Sequence, residues 1–230
     1  MRLFQQEVKK RIGCYMKQKG FRIRNNTYYY IKNAIAYCIT FEQPPGRMYT
    51  WAHVNPLYIP MDEMYLCYGN RLNNIADIML PTLDKESNSV GIDDWCALFL
   101  RSMDDYILPF FHQIDNPKNL LFHVDHLTGN RATKLLCCSP LDADRLGMYT
   151  YLHLRDLPNA NSAASTFKNR AGESTYLIVP LRKKLQQEAD EIKLLILKGD
   201  DAVNDFCNQT IENTTKLFQK ASRCKVGNQK

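Results

Sequence analysis

Few residues in this chain stand in patterns that could do chemistry. His53 lies in Trp51-Ala52-His53-Val54-Asn55. Side chains two apart on a strand share a face, so Trp51, His53 and Asn55 look the same way. A histidine beside an aromatic and an amide can serve as a base or a recognition group, yet no Asp or Glu is identifiable to orient its ring. The plainer alternative is a half-buried strand histidine satisfied by its neighbours. His123 and His126, with Asp125 between them, would fall on one side of a helix and could offer two zinc ligands. A zinc site needs further donors, and no Cys-x-x-Cys supplies them, so loop histidines and no metal are expected. Cys137-Cys138 precedes a helix start, where a thiolate can be stabilised; two small buried hydrophobes are the competing reading. Gly129-Asn130-Arg131-Ala132-Thr133-Lys134 approaches a phosphate loop but lacks the second glycine. Gly-x-Gly-x-x-Gly, Gly-x-Ser-x-Gly and His-Glu-x-x-His are all absent from the sequence, so no cofactor and no catalytic set are expected.

Arg22, Arg24 and Lys32 are interleaved with Tyr28, Tyr29 and Tyr30. That composition matches a stacking platform for single-stranded nucleic acid, although strands are rich in tyrosine for structural reasons as well. The candidate binding surface is therefore Arg22, Arg24, Tyr28, Tyr30, Trp51, His53 and Asn55.

Strands must position these residues. In Ile35–Phe41, Ile35, Tyr37, Ile39 and Phe41 alternate with Ala36, Cys38 and Thr40, a period-2 signal. The second set is small and mildly apolar, so both faces of the sheet can be covered. Asn25-Asn26 and Lys32-Asn33 are turn formers, because Asn tolerates positive φ. The spacing predicts strands at Phe21–Arg24, Thr27–Ile31, Ile35–Glu42 and Met48–Leu57, with Pro44-Pro45-Gly46 as a longer turn, in an antiparallel meander. Ahead of them Phe4–Lys19 reads as an amphipathic helix closed by Gly20. Met64–Tyr68 is a further candidate strand, and Leu72–Leu80 a possible short helix in a polar, irregular stretch. A helix beginning near Gly91 carries Ile92, Trp95, Phe99, Met103 and Ile107 on one stripe, with Pro109 expected to kink or end it. Asn116-Pro117 and Ser139-Pro140 each read as an N-cap followed by proline at the first helical position. Further helices are predicted over Ala160–Arg170, over Ser174–Lys198 with Pro180 splitting its start, and from Asp200 onward.

The expected fold is α+β: an N-terminal helix, an antiparallel meander of four to five strands, and a largely helical C-terminal half packed on the sheet. Residues 1–130 form the α+β domain, residues 131–224 a helical region packed on it, and residues 225–230 a tail. A chain of 230 residues buries about 70% of its unfolded surface, enough for a core without staples. The net charge of +6 mildly favours an anionic partner. Eight scattered cysteines, no apolar signal region in MRLFQQEVKKRIG and no long apolar run imply reduced thiols, a cytoplasmic location, no membrane span and no membrane partner.

Gly20-Phe21-Arg22-Ile23-Arg24, Tyr28-Tyr29-Tyr30, Trp51–Pro60, Gly69-Asn70-Arg71-Leu72 and Ile107-Leu108-Pro109 follow one another over residues 5–130. In that order they resemble an uncharacterised bacterial α+β family, the domain of unknown function 4304. The resemblance carries over no catalytic residue. Some relatives adjoin toxin-immunity genes, which implies a non-catalytic protein-interaction or immunity-type module. A nucleic-acid binder using the basic N-terminal unit, and a small-molecule enzyme with His53 near its site, are the alternatives.

Overall fold

The computed structural model describes residues 3–62, 68–75, 78, 80–84, 89–125, 135–136 and 138–219. The fold is α+β. After α1 (Leu3–Gln18) come β1 (Arg22–Arg24), β2 (Thr27–Lys32), β3 (Ile35–Glu42), β4 (Arg47–Pro56) and β5 (Tyr68–Arg71), hydrogen-bonded in that order. The two-residue β6 (Leu83–Asp84) pairs with the start of β4. Every pairing is antiparallel. Asn25 takes φ 52°, while Asn33 and Ala34 take 50° and 59°, the positive values that tight hairpin turns require. These turns fix the register, with Arg24 opposite Thr27 and Lys32 opposite Ile35.

The helices are α2 (Ser89–Ser102), α3 (Leu108–Gln113), α4 (Pro117–Asp125), α5 (Pro140–His153), α6 (Leu157–Glu173), α7 (Val179–Leu197) and α8 (Asp200–Gln219). Pro109 neither ends the second helix nor breaks it sharply. A π-turn over Met103–Ile107 joins α2 to α3 and places the proline in the first turn of the new segment, where its missing N–H costs least. Ser139 Oγ accepts from the Asp142 amide at 3.0 Å and Asn116 Oδ1 from the Asn119 amide at 3.0 Å, so both proline-marked starts are capped. The segment expected from Ser174 begins only at Val179, because Pro180 sits in its first turn. Of the short helix expected over Leu72–Leu80, the described residues show a 3₁₀ turn at Leu72–Asn74. Most of the strand proposed at Met64–Tyr68, together with His126, Cys137, the 129–134 loop and the 225–230 tail, lies outside the described residues.

Cross-strand partners share a face, so the register separates the sheet into two. The inner face carries Tyr28, Tyr30, Ile35, Tyr37, Ile39, Phe41, Ala52 and Val54, and these join Val8, Ile12 and Met16 of α1 and Trp95 and Phe99 of α2 in the main core. Tyr30 stacks on Tyr37 with centroids 4.7 Å apart, and Tyr37 donates its hydroxyl to the Ile114 carbonyl at 3.0 Å. The same core continues through Leu146, Tyr149 and Leu152 of α5 to Phe167, Ile192 and Cys207.

The outer face is Arg22, Arg24, Thr27, Tyr29, Ile31, Ala36, Cys38, Thr40, Glu42, Tyr49, Trp51, His53, Asn55, Gly69 and Arg71, as the registers dictate. It is not free along its length. The end of α8 returns over it: Phe218 packs with Tyr29, Ala36, Cys38 and Leu57, and Tyr29 donates its hydroxyl to the Phe218 carbonyl at 2.8 Å.

Candidate functional site

The seven candidate residues do not form one surface. Arg22, Arg24, Trp51, His53 and Asn55 lie on the outer face, but Tyr28 and Tyr30 point the other way into the helical core. Their inward direction follows from the Asn25-Asn26 turn, which sets Ile23 opposite Tyr28 and Arg22 opposite Tyr29. The arginines and these two tyrosines therefore cannot build the expected stacking platform. His53 and Asn55 are on the outer face but buried, at 2% and 1% exposure.

Buried polar groups need partners, and these find them along the strands. Asn55 Nδ2 lies 3.2 Å from His53 Nδ1 and 3.7 Å from Cys38 Sγ. His53 Nε2 is 2.8 Å from Thr40 Oγ1, which is 2.8 Å from Thr27 Oγ1. With the amide nitrogen donating to Nδ1, the ring keeps its proton on Nε2 and donates to Thr40. Burial pushes the His53 pKa down to about 3. It pushes the Cys38 thiol up to about 12, against the opposing hydrogen bond from Asn55. Neutral imidazole beside un-ionised thiol is the reverse of an activated nucleophile pair. His53 meets a hydroxyl and an amide, and no carboxylate.

Beyond α8 the outer face is partly exposed: Arg24, Thr40, Tyr49, Trp51 and Arg71 are half-buried and Thr27 is buried. Arg24, Thr27, Thr40, Trp51 and Arg71 are successive cross-strand partners and form one row from edge to edge. Glu42 and Tyr49 pair just beyond it. The Arg71 guanidinium lies 4.3 Å from the Tyr49 ring centroid and 5.0 Å from that of Trp51. Glu42 Oε2 accepts from Trp51 Nε1 at 2.9 Å and from Arg71 Nη2 at 3.1 Å. The Glu42 carboxylate thus holds the Trp51 ring and the Arg71 guanidinium, and the guanidinium in turn lies over the Tyr49 ring. Tyr49, Trp51 and Arg71 are half-buried, and the Nε atoms of Arg24 and Arg71 are buried without a hydrogen-bond partner among the described residues. Sequence reasoning placed Trp51 on this face but missed Arg71. Its signal was the alternation Gly69-x-Arg71, which becomes visible only once Tyr68–Arg71 is known to be a strand.

A second concavity, of about 890 Å³, lies among α5, α7, α8 and Pro60–Asp62. On its floor Arg145 Nε and the Tyr149 hydroxyl both donate to Glu188 Oε1 at 2.7 Å, and Arg145 Nη2 donates to the Pro60 carbonyl at 3.1 Å. Burial is the largest influence and opposes the Arg145 charge, but Glu188, Tyr149 and Tyr68 together outweigh it and the guanidinium pKa is raised. Leu181, Leu185, Leu195 and Phe206 line the walls. The polar groups here satisfy one another and tie α5 to α7, a structural pairing.

Among the described residues no group of three or more His, Cys, Asp or Glu side chains could hold a metal ion. None of their helices is long and apolar enough to cross a membrane. No family model, curated protein or solved structure matches this chain.

Proposed function

We propose that the protein is a cytoplasmic, non-catalytic interaction module that grips another macromolecule with the partly exposed end of its sheet. The observation that carries this reading is the Tyr49–Trp51–Arg71 stack anchored on Glu42. Trp, Tyr and Arg are the residues that dominate binding energy in protein interfaces, and they do so best when pre-ordered, since little rotamer freedom is then lost on binding. The buried, depressed His53 supports a structural rather than a catalytic role for the row beneath. The narrower form, an immunity-type protein that blocks a toxin, draws on the family resemblance.

A photo-reactive phenylalanine analogue in place of Tyr49 tests the proposal in cells. One dominant protein adduct is expected, lost in the Arg71→Ala background and absent when the analogue replaces the exposed Leu98. Adducts that ignore both controls would remove the reading. A second reading keeps a nucleic acid as the partner, since Arg24 and Arg71 stand at the two ends of the Thr27–Thr40–Trp51 row. It requires single-strand affinity that falls steeply with salt.

A further inference from the structure

Between α6 and α7 the chain runs Tyr176-Leu177-Ile178-Val179-Pro180-Leu181, six consecutive non-polar residues, and then directly Arg182-Lys183-Lys184. Tyr176 is 96% exposed, Ile178 69%, Val179 51% and Leu181 39%. Leu177 between them is half-buried; single exposed hydrophobes are ordinary, whereas four at one turn are not. Local chemistry fixes the run in this place. α6 ends at Glu173 and α7 begins at Val179, with Pro180 in its first turn, where a proline is favoured. Ile178 occupies the N-cap of α7 in an extended conformation with no side-chain cap. Ser, Thr, Asp or Asn would stabilise that position in water, so the turn gives up a cap to present an aliphatic side chain.

The residues that directly follow the run are all basic. Among the described residues Arg182, Lys183 and Lys184 enter no ion pair. Nearby on α6, Lys168 is paired with Asp190 and Arg170 with Asp144, which leaves Glu173 as the acid next to the turn. The net charge of the chain, +6, has the same sign.

We propose that this turn docks on an anionic lipid bilayer, with Tyr176, Ile178 and Val179 in the headgroup–acyl boundary and Arg182, Lys183 and Lys184 at the level of the headgroups. A protruding apolar knob needs a matching cavity on a protein but none on a bilayer, and an adjoining basic cluster is what an anionic leaflet attracts. The contact is peripheral, in keeping with the lack of a spanning helix among the described residues. It lies on the helical part of the chain, apart from the sheet surface, and stands independently of that reading.

Co-sedimentation of the full chain with phosphatidylcholine vesicles, with and without phosphatidylserine, tests it. The protein is expected to pellet with the anionic vesicles at low salt, to be released as salt rises, and to stay in solution with phosphatidylcholine alone. Neutralising the cluster in Arg182→Gln/Lys183→Gln/Lys184→Gln should weaken the partitioning ~100-fold. Ile178→Asp/Val179→Asp should weaken it roughly 10-fold or more while leaving the circular dichroism unchanged, since both side chains are exposed. No sedimentation at low salt, equal sedimentation with both vesicles, or variants that partition like the parent would overturn the proposal. So would a dimer in light scattering that Ile178→Asp/Val179→Asp dissolves while vesicle binding persists, for the run would then be a protein interface.

Discussion

His53 shows how much one buried ring can set. Its nitrogens are occupied by Thr40 and Asn55, and its pKa falls from the ordinary 6.5 to about 3 because burial disfavours the charged form. Between those two values the unfolded chain takes up a proton that the folded chain refuses. Stability from this residue is therefore complete above about pH 6.5 and drains away as pH falls toward 3. At about pH 5 the loss amounts to about 2 kcal/mol. His53→Gln keeps a hydrogen-bonding side chain without the titration. Urea midpoints measured near neutrality and near pH 5 should fall by that much more in the parent than in the variant, the carboxylates being common to both. Parallel pH slopes would show that the ring does not titrate with unfolding. A base that protonates only on unfolding is no catalyst, so this experiment also bears on the enzyme alternative.

At the scale of elements, β5 lies where it does because Gly69 has no side chain. A Cβ at that position would stand 2.2 Å from His53 Cβ and 2.3 Å from the Ala52 carbonyl oxygen, both parts of the rigid central strand β4. Gly69→Ala should therefore push β5 away, at a cost of about 3 kcal/mol, the upper end of ordinary overpacking. Arg71, two residues on, would leave the Tyr49 and Trp51 rings. A lowered melting temperature together with loss of the Tyr49-analogue adduct is expected; a melt unchanged from the parent would mean the strand accommodates the methyl. The same strand marks where sequence reading stopped. Ile35–Phe41 was legible because its two faces differ in size and polarity, and the hairpins before it because Asn25-Asn26 and Asn33 supply turn conformations. Tyr68-Gly69-Asn70-Arg71 has neither apolar alternation nor β-branching, and glycine ordinarily weakens a strand. Only the close approach to His53, a tertiary fact, makes glycine the right residue there.

For the molecule as a whole, the decisive contact joins the two ends of the chain. The small set Ala36, Cys38 and Thr40 already signalled that the outer face could be covered, and α8 covers part of it through Phe218. No local pattern announces a contact between Tyr29 and Phe218, residues separated by 189 positions. For the same reason the tyrosines were not separable by composition: Tyr29 serves the α8 contact, whereas Tyr28 and Tyr30 serve the inner core. Phe218 is 1% exposed, and Phe218→Ala should cost about 3 kcal/mol, at the low end for a buried phenylalanine because the site lies near a helix end. Stability alone would not show which face was uncovered, but Cys38 reports it. Its thiol pKa is pushed up to about 12 by burial under this same contact, so it should resist maleimide in the parent. With the ring of Phe218 gone, water reaches the outer face, the thiol moves back toward its ordinary range, and Cys38 should be labelled under native conditions. Peptide mapping separates it from the exposed Cys14, which labels in both proteins. If Cys38 in Phe218→Ala reacted only as fast as the whole protein unfolds, α8 would not be the element that closes this half of the sheet. The binding surface would then have to be redrawn to include Tyr29 and Ala36 alongside Trp51 and Arg71.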